Sequence, residues 1–135
     1  KKNMVKTGKA ALLLWCQKRT EGYKGVQVTN FTKSWKDGLA FAALYHSFYP
    51  DEIPFNSLSS KSSAEILEMC FACGLRHGIP RLLDVEDIVE MPSPEPFSMM
   101  TYLSQCYHTM EGGQKGRSGL ASIQVNESQQ RQQPA

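Results

Sequence analysis

The apolar residues recur at intervals of three and four in four stretches of the chain, which is the spacing of amphipathic helices. In the first stretch, residues 6–19, Leu12, Trp15 and Cys16 share one face. Residues 22–36 show no such period. We therefore expect a first helix that is followed by a loop, which apolar side chains anchor to the core.

The second stretch, residues 38–49, carries apolar side chains around most of its circumference. That distribution is typical of a helix at the centre of a core. Asp37 precedes the stretch and is expected to cap it through its carboxylate. Pro50 and Pro54 end it, so that residues 51–60 should form a connection rich in turns.

The third and fourth long helices have recognisable start signals. Ser62 and Glu65 form a capping-box pattern ahead of a run with helical spacing. Ser93 followed by Pro94 predicts the start of the last helix, because a proline in the first turn has no hydrogen bond to lose. Two consecutive glycines end that helix, and a short turn is expected at residues 84–89.

These elements predict an all-α fold, a bundle of four main helices with short connecting helical turns. A chain of 135 residues with 41% hydrophobic content can fill one core. We assign residues 1–113 to one domain. Residues 114–135 are rich in Gly, Ser and Gln and are expected to form a flexible tail or linker.

The formal net charge of +2 is distributed unevenly. Nine lysine and arginine residues precede Asp37, and Glu21 is the one acidic residue among them. A basic first quarter raises the affinity for anionic surfaces, such as an acidic filament, phosphoinositide head groups or nucleic acid. Charge alone does not choose among these partners.

The four cysteines, Cys16, Cys70, Cys73 and Cys106, each lie beside apolar residues, which favours small buried thiols in a reducing, cytoplasmic setting. Cys70 and Cys73, with His77 four residues later, could form a redox or zinc site. Both cysteines fall in mid-helix and the sequence offers no fourth ligand nearby, so the pattern favours core packing.

The sequence gives no sign of an enzyme. His46 could act as a general base, but no nucleophile motif and no Gly-rich phosphate loop is present, so we expect no catalytic site, cofactor or metal. His46 should instead bond a nearby backbone group. Trp15 and Trp35 are expected in the core, which argues against nucleic acid. The longest apolar run, residues 10–15, is too short to cross a bilayer.

A further set of residues stands in a distinctive order along the chain. It comprises Leu12 to Gln17, Gly22-Tyr23, Asn30-Phe31, Ser34-Trp35, Asp37 to Phe41, Ala43-Leu44, His46, Pro50, Gly78 to Pro80, Leu82 to Asp84, Glu86 to Ile88 and Met100 to Ser104. This order closely resembles the calponin homology domain over residues 6–110. The resemblance is to the second domain of the tandem pairs in α-actinin, spectrin and plectin, and to the single domains of smoothelin and cytospin. The chain departs from the family at residues 73–78, where the usual acidic residue of the third helix is missing.

The resemblance implies a cytoskeletal protein-binding module in the cytoplasm that binds F-actin weakly. In the tandem family the first helix contributes to actin contact. The matching outward cations here are Lys6, Lys9, Lys18 and Arg19.

Two alternatives remain open. The loop of residues 20–36 resembles the phosphoinositide-binding stretch of α-actinin, with Tyr23, Lys24, Lys33 and Lys36 at matching positions. Cations beside an aromatic ring suit a multiply charged head group. The domain could also be a regulatory or adaptor module that binds another protein, or another domain of its own chain, without actin.

Overall fold

The computed structural model describes residues 8–112, and these residues contain helices and no strand. The α-helices are α1 (Gly8–Arg19), α2 (Leu39–Phe48), α3 (Ser63–Arg76), α4 (Val85–Val89) and α5 (Pro96–Gly112). Two 3₁₀ helices lie at Lys33–Trp35 and Phe55–Ser60. The predicted all-α fold, with four long helices and short helical turns between them, is confirmed. The C-terminal segment 114–135, predicted to be a tail, lies outside the described residues.

Helix α2 lies at the centre of the core, as its apolar circumference predicted. Its residues 40–45 are all buried, and the helix contacts α1, α3 and both 3₁₀ helices. The ring of Phe41 is surrounded by the rings of Trp35, Phe71 and Tyr102, with centroids 4.7, 5.4 and 5.8 Å away. Aromatic rings at such separations add edge-to-face attraction to the burial of their area.

The start of α3 is capped as the sequence predicted. The backbone N–H of Glu65 donates to Ser62 Oγ at 3.1 Å, and the N–H of Ser62 donates to Glu65 Oε1 at 2.8 Å. Two helix-end donors are thereby satisfied reciprocally. At α2, the carboxylate of Asp37 accepts the N–H of Leu39 at 2.9 Å, although the cap position itself is Gly38.

The start of α5 differs from the prediction. Ser93 is not the cap, and Pro94 is not in the first turn; the helix begins at Pro96. The carboxylate of Glu95 accepts the backbone N–H groups of Phe97 and Ser98 at 3.0 and 2.8 Å. The sequence Ser-Pro-Glu-Pro offers two registers for a cap followed by proline, and the structure uses the second.

We expect the Glu95 cap to make the stability of the domain depend on pH. Hydrogen bonds from Ser98 and from the backbone of Phe97 lower the pKa of Glu95 below its ordinary value of 4.5. A carboxyl group with a lowered folded-state pKa stabilises the fold above its ordinary pKa, and this contribution is lost as the pH falls. Urea unfolding at pH 7 should show Glu95→Ala to be less stable than the wild type. The difference should narrow below about pH 4.5, and a difference independent of pH would contradict the prediction.

Gly38 joins the first 3₁₀ helix to α2 in a left-handed conformation and in a crowded position. Its φ is +85°, and a Cβ added there would lie 2.9 Å from Ile66 Cγ2 on α3 and 3.3 Å from the carbonyl oxygen of Ser63. Gly78, after α3, also has a positive φ of +93°, but a Cβ there would meet nothing within 4 Å. The two glycines therefore share the backbone requirement and differ in packing.

Alanine substitutions at these glycines should separate the two costs. Gly78→Ala should lower the free energy of unfolding by about 1–2 kcal/mol, the cost of a left-handed L-residue. Gly38→Ala should cost a further ~1–3 kcal/mol, because the new methyl group overpacks the contact between α2 and α3. Urea unfolding of both variants measures the difference. Equal losses would show that α3 yields to the added methyl group.

Candidate partner-binding surface

The outer face of α1 carries exposed cations on either side of an apolar strip. Lys9 and Lys18 are both exposed, as predicted, and they lie on opposite flanks of the helix, about 180° apart at 3.6 residues per turn. Between these flanks lie Ala10, which is exposed, and Leu14, whose exposed fraction is 38%. The half-buried Gln17 lies beside them, and its Nε2 donates to the carbonyl oxygen of Val28 at 2.9 Å. Lys6, the remaining lysine assigned to this surface, lies outside the described residues. A partner would therefore meet a mainly apolar strip between two positive charges.

Arg19, at the end of α1, is directed towards α2. Its guanidinium group lies over the ring of Phe48, 3.9 Å from the centroid, and donates to the carbonyl oxygen of Ser47 at 3.1 Å. The side chain is half-buried rather than fully outward. Arg19 thus helps to hold α1 against α2 and offers a partner less charge than Lys9 or Lys18 does.

Helix α1 is also fixed to α5, the last helix among the described residues. Trp15 Nε1 donates to the carboxylate of Glu111 at 2.8 Å, and the indole ring makes a T-shaped contact with the Tyr107 ring at a centroid distance of 5.2 Å. Trp15 is buried, as predicted. These contacts make the outer face of α1 a surface on a firmly packed helix.

In the loop after α1, Tyr23 is used within the fold. Its hydroxyl group is 2.8 Å from His46 Nδ1, and its ring packs edge-on against Phe55 with centroids 4.9 Å apart. The expectation that His46 would bond a backbone group is wrong, because its Nδ1 bonds the hydroxyl group of the Tyr23 side chain. The contact joins residues 23 positions apart, so no local pattern reveals it.

The lysines of the loop divide into two kinds. Lys24 and Lys33 are exposed. Lys36 is half-buried, and its Nζ donates to the carbonyl oxygens of Ile88 and Val89 at 3.3 and 2.6 Å. These carbonyls belong to the last turn of α4, where an ammonium group also complements the helix dipole. Of the four residues matched to a phosphoinositide site, Tyr23 and Lys36 therefore have structural roles.

The cysteines are buried and free, which confirms the prediction of small core thiols. Burial raises the pKa of Cys16 and Cys70 well above the ordinary value, and raises that of Cys106 to about 12. An activated nucleophile needs the opposite shift, because the thiolate is the reactive form.

The C-terminal end of α3 carries a cluster that sequence spacing did not reveal. The Glu52 carboxylate lies 2.6 Å from His77 Nε2, accepts from the Arg76 guanidinium group at 2.8 Å, and accepts from Cys73 Sγ at 3.4 Å. The bonds from His77 and then Arg76 lower the pKa of Glu52 to about 2. Burial, followed by the bond to Glu52, raises the pKa of Cys73 to about 12. The departure from the family pattern at residues 73–78 is thus matched by an acidic residue from another segment.

A second surface feature lies beside α4 and the start of α5. It is a groove of about 260 Å³ with apolar residues and an acidic edge. The apolar lining includes Leu82, Leu83 and Met91, and the acidic lining includes Asp84, Asp87 and Glu95. Leu82 and Met91 are each 46% exposed. Sequence reasoning did not identify this groove, because its two sides come from separate turns.

Among residues 8–112, no helix combines the length and apolar character that a membrane span requires.

Comparison with known proteins gives one family. The model of the calponin homology (CH) domain matches residues 6–112. The chain is 41% identical over 130 residues to alpha-actinin of Dermatophagoides farinae, covering 93% of this chain and 15% of that protein. It is 44% identical over 110 residues to the sarcomeric alpha-actinin of Drosophila melanogaster, covering 81% of this chain and 12% of that protein. Over 120 residues it is 41% identical to microtubule-actin cross-linking factor 1 of Mus musculus, covering 89% of this chain and 2% of that protein. The chain thus spans a small part of each relative.

Substitution of the two loop lysines should separate folding from surface charge. Lys36→Met should lower the free energy of unfolding by about 1.5–3 kcal/mol, because two carbonyls of α4 lose a charged donor. Lys33→Met removes the same charge from an exposed position and should change stability by less than about 0.5 kcal/mol. Urea unfolding compares the two. If Lys36→Met left the free energy of unfolding unchanged, water would replace the ammonium group at the two carbonyls at no cost.

Proposed function

This chain belongs to the calponin homology domain family, and from that premise we propose that it is a weak F-actin-binding module of a larger cytoskeletal protein. The names of its relatives, alpha-actinin and microtubule-actin cross-linking factor, point to actin as the partner. The proposed location is the cytoplasm, on the cytoskeleton.

The observation that carries this proposal is the outer face of α1. Lys9 and Lys18 are exposed on a helix that α2 and α5 hold in place, with Leu14 between them. An acidic filament would gain two charge contacts and a small apolar contact without reorganising the domain. Pre-ordered contacts of this kind avoid the entropy cost of folding on binding.

The same geometry supports weak rather than tight binding. Exposed charge pairs contribute about 0–1 kcal/mol each and are screened by salt. Arg19, which is committed to Phe48 and Ser47, adds less than a free arginine would. Strong attachment to a filament would require a second binding module on the same protein, which raises the effective concentration.

A second candidate function is that of an adaptor domain, and the groove beside α4 favours it. Apolar side chains such as Leu82 and Met91 next to Asp84 and Asp87 suit a segment with an apolar face and basic flanks. Such a segment could belong to another protein or to another domain of the same chain.

Phosphoinositide binding has less structural support. Lys24 and Lys33 are exposed and could meet a phosphorylated head group. Tyr23 is bonded to His46 and Lys36 to α4, so binding through all four matched residues would disrupt contacts of the fold.

Co-sedimentation with F-actin over a salt series tests the main proposal. Lys9→Glu combined with Lys18→Glu should weaken binding about tenfold at low salt, because two attractions become repulsions. The control is Lys24→Glu combined with Lys61→Glu, which changes the net charge equally at exposed positions outside α1. The control should pellet like the wild type.

Two outcomes would count against the α1 surface. If both double variants lost binding equally, net charge rather than α1 would determine it. If the wild type did not pellet at low salt, the adaptor function would become the better proposal. A parallel sedimentation with liposomes, with and without phosphoinositide, would reveal a membrane contact.

A further inference from the structure

We propose that Glu52, Cys73 and His77 form a Zn²⁺ site at the C-terminal end of α3. The site is independent of the proposed actin surface, which lies on α1. The three residues each offer one ligand atom, and these atoms all lie within 4.8 Å of one another. No other group of three or more such ligands occurs among residues 8–112.

The spacing of the ligand atoms fits a single tetrahedral ion. Zinc binds sulfur at about 2.3 Å and nitrogen or oxygen at about 2.0–2.2 Å, which separates neighbouring ligand atoms by about 3.3–3.6 Å. The Oε2 atom of Glu52 lies 2.6 Å from His77 Nε2, and its Oε1 atom lies 3.4 Å from Cys73 Sγ. Side-chain movements of about an ångström would therefore admit the ion.

The fold already places two of the three ligands, Cys73 and His77, close together at the end of α3. Cys73 lies in α3, and His77 is the residue that caps its C-terminal end, so the two project from one side of the helix. The His77 ring stacks on the Tyr49 ring, with centroids 3.7 Å apart and an interplanar angle of 6°. This stacking fixes the ring plane while Nε2 lies against Glu52. Cys73 is fully buried, and His77 and Glu52 are each 30% exposed, so the ion would enter from the solvent side.

The donor set selects the metal. One sulfur, one nitrogen and one oxygen suit Zn²⁺ and similar transition ions, whereas Ca²⁺ and Mg²⁺ prefer oxygen alone. On binding, the Cys73 thiol releases its proton to solvent and the sulfur binds as a thiolate. His77 Nε2 and a Glu52 oxygen donate lone pairs, and nothing is oxidised or reduced. Three protein ligands leave a fourth position for water, or for a ligand from a partner.

The positive charge of Arg76 should weaken binding of the ion, so a substitution that removes this charge should strengthen binding. Its guanidinium group donates to Glu52 Oε1 through Nε and Nη2, at 3.0 and 2.8 Å. The side chain is 57% exposed, so it can move into solvent when the ion arrives. Removing its positive charge should strengthen Zn²⁺ binding, whereas removing a ligand should weaken it.

The experiment is a titration of the 135-residue chain with Co²⁺, followed by displacement with Zn²⁺, in a phosphine reductant that keeps the thiols reduced. A cobalt–thiolate bond gives a charge-transfer band in the near ultraviolet. We expect this band at one ion per chain, lost on adding Zn²⁺ and unaffected by Mg²⁺ or Ca²⁺. Cys73→Ser and His77→Gln should each weaken binding by more than about tenfold, and Arg76→Gln should tighten it.

Matched controls are available because all four cysteines and all three histidines lie within the described residues. Cys70→Ser, one turn earlier in α3, and His108→Gln on α5 should bind Co²⁺ like the wild type. The proposal is overturned by absence of the charge-transfer band in the wild type, or by equal binding in Cys73→Ser and the wild type. If Cys73→Ser does not fold, His77→Gln decides, since the half-exposed side chain it changes lies outside the core.

Discussion

The burial of α2 on every side determines how the rest of the domain is arranged. A helix with no polar face must be surrounded, because each large apolar side chain that it buries contributes about 1.5–3 kcal/mol. Phe41 shows the result: Trp35 from the loop, Phe71 from α3 and Tyr102 from α5 close around one ring. Three separate segments are thereby held to one helix, and their outward faces become fixed surfaces.

This packing divides the cations of the first quarter into structural and free ones. Arg19 lies over Phe48, and Lys36 reaches the last carbonyls of α4 across 53 positions of sequence. Both ends of the loop between α1 and α2 are thus tied down by positive charges. Lys9 and Lys18 are exposed on the outer side of α1 and do not hold elements of the fold together in this way. The basic composition of this region therefore overstates the charge that a partner can use.

Local patterns in the sequence were sufficient for the helices and for the capping box at Ser62, because a helix and its cap are set by residues three or four positions apart. The start of α5 was misplaced because two cap-and-proline registers overlap and only packing chooses between them. The partners of His46, Lys36 and Glu52 could not be predicted. Each contact joins residues more than twenty positions apart, and neither hydrophobic period nor spacing carries that information.

The same limit explains why Cys73 and His77 changed in meaning once the fold was known. In the sequence, Cys73 and His77 had too few neighbouring ligands for a metal site, and Cys70 was the third ligand that their spacing suggested. In the structure Cys70 is buried in the core, and Glu52, from the connection after α2, contacts Cys73. The cluster lies at the end of α3, whereas the proposed filament contact lies on α1, which packs on α2 and α5. A metal at one place leaves the exposed lysines of the other unchanged, so either proposal can fail without the other.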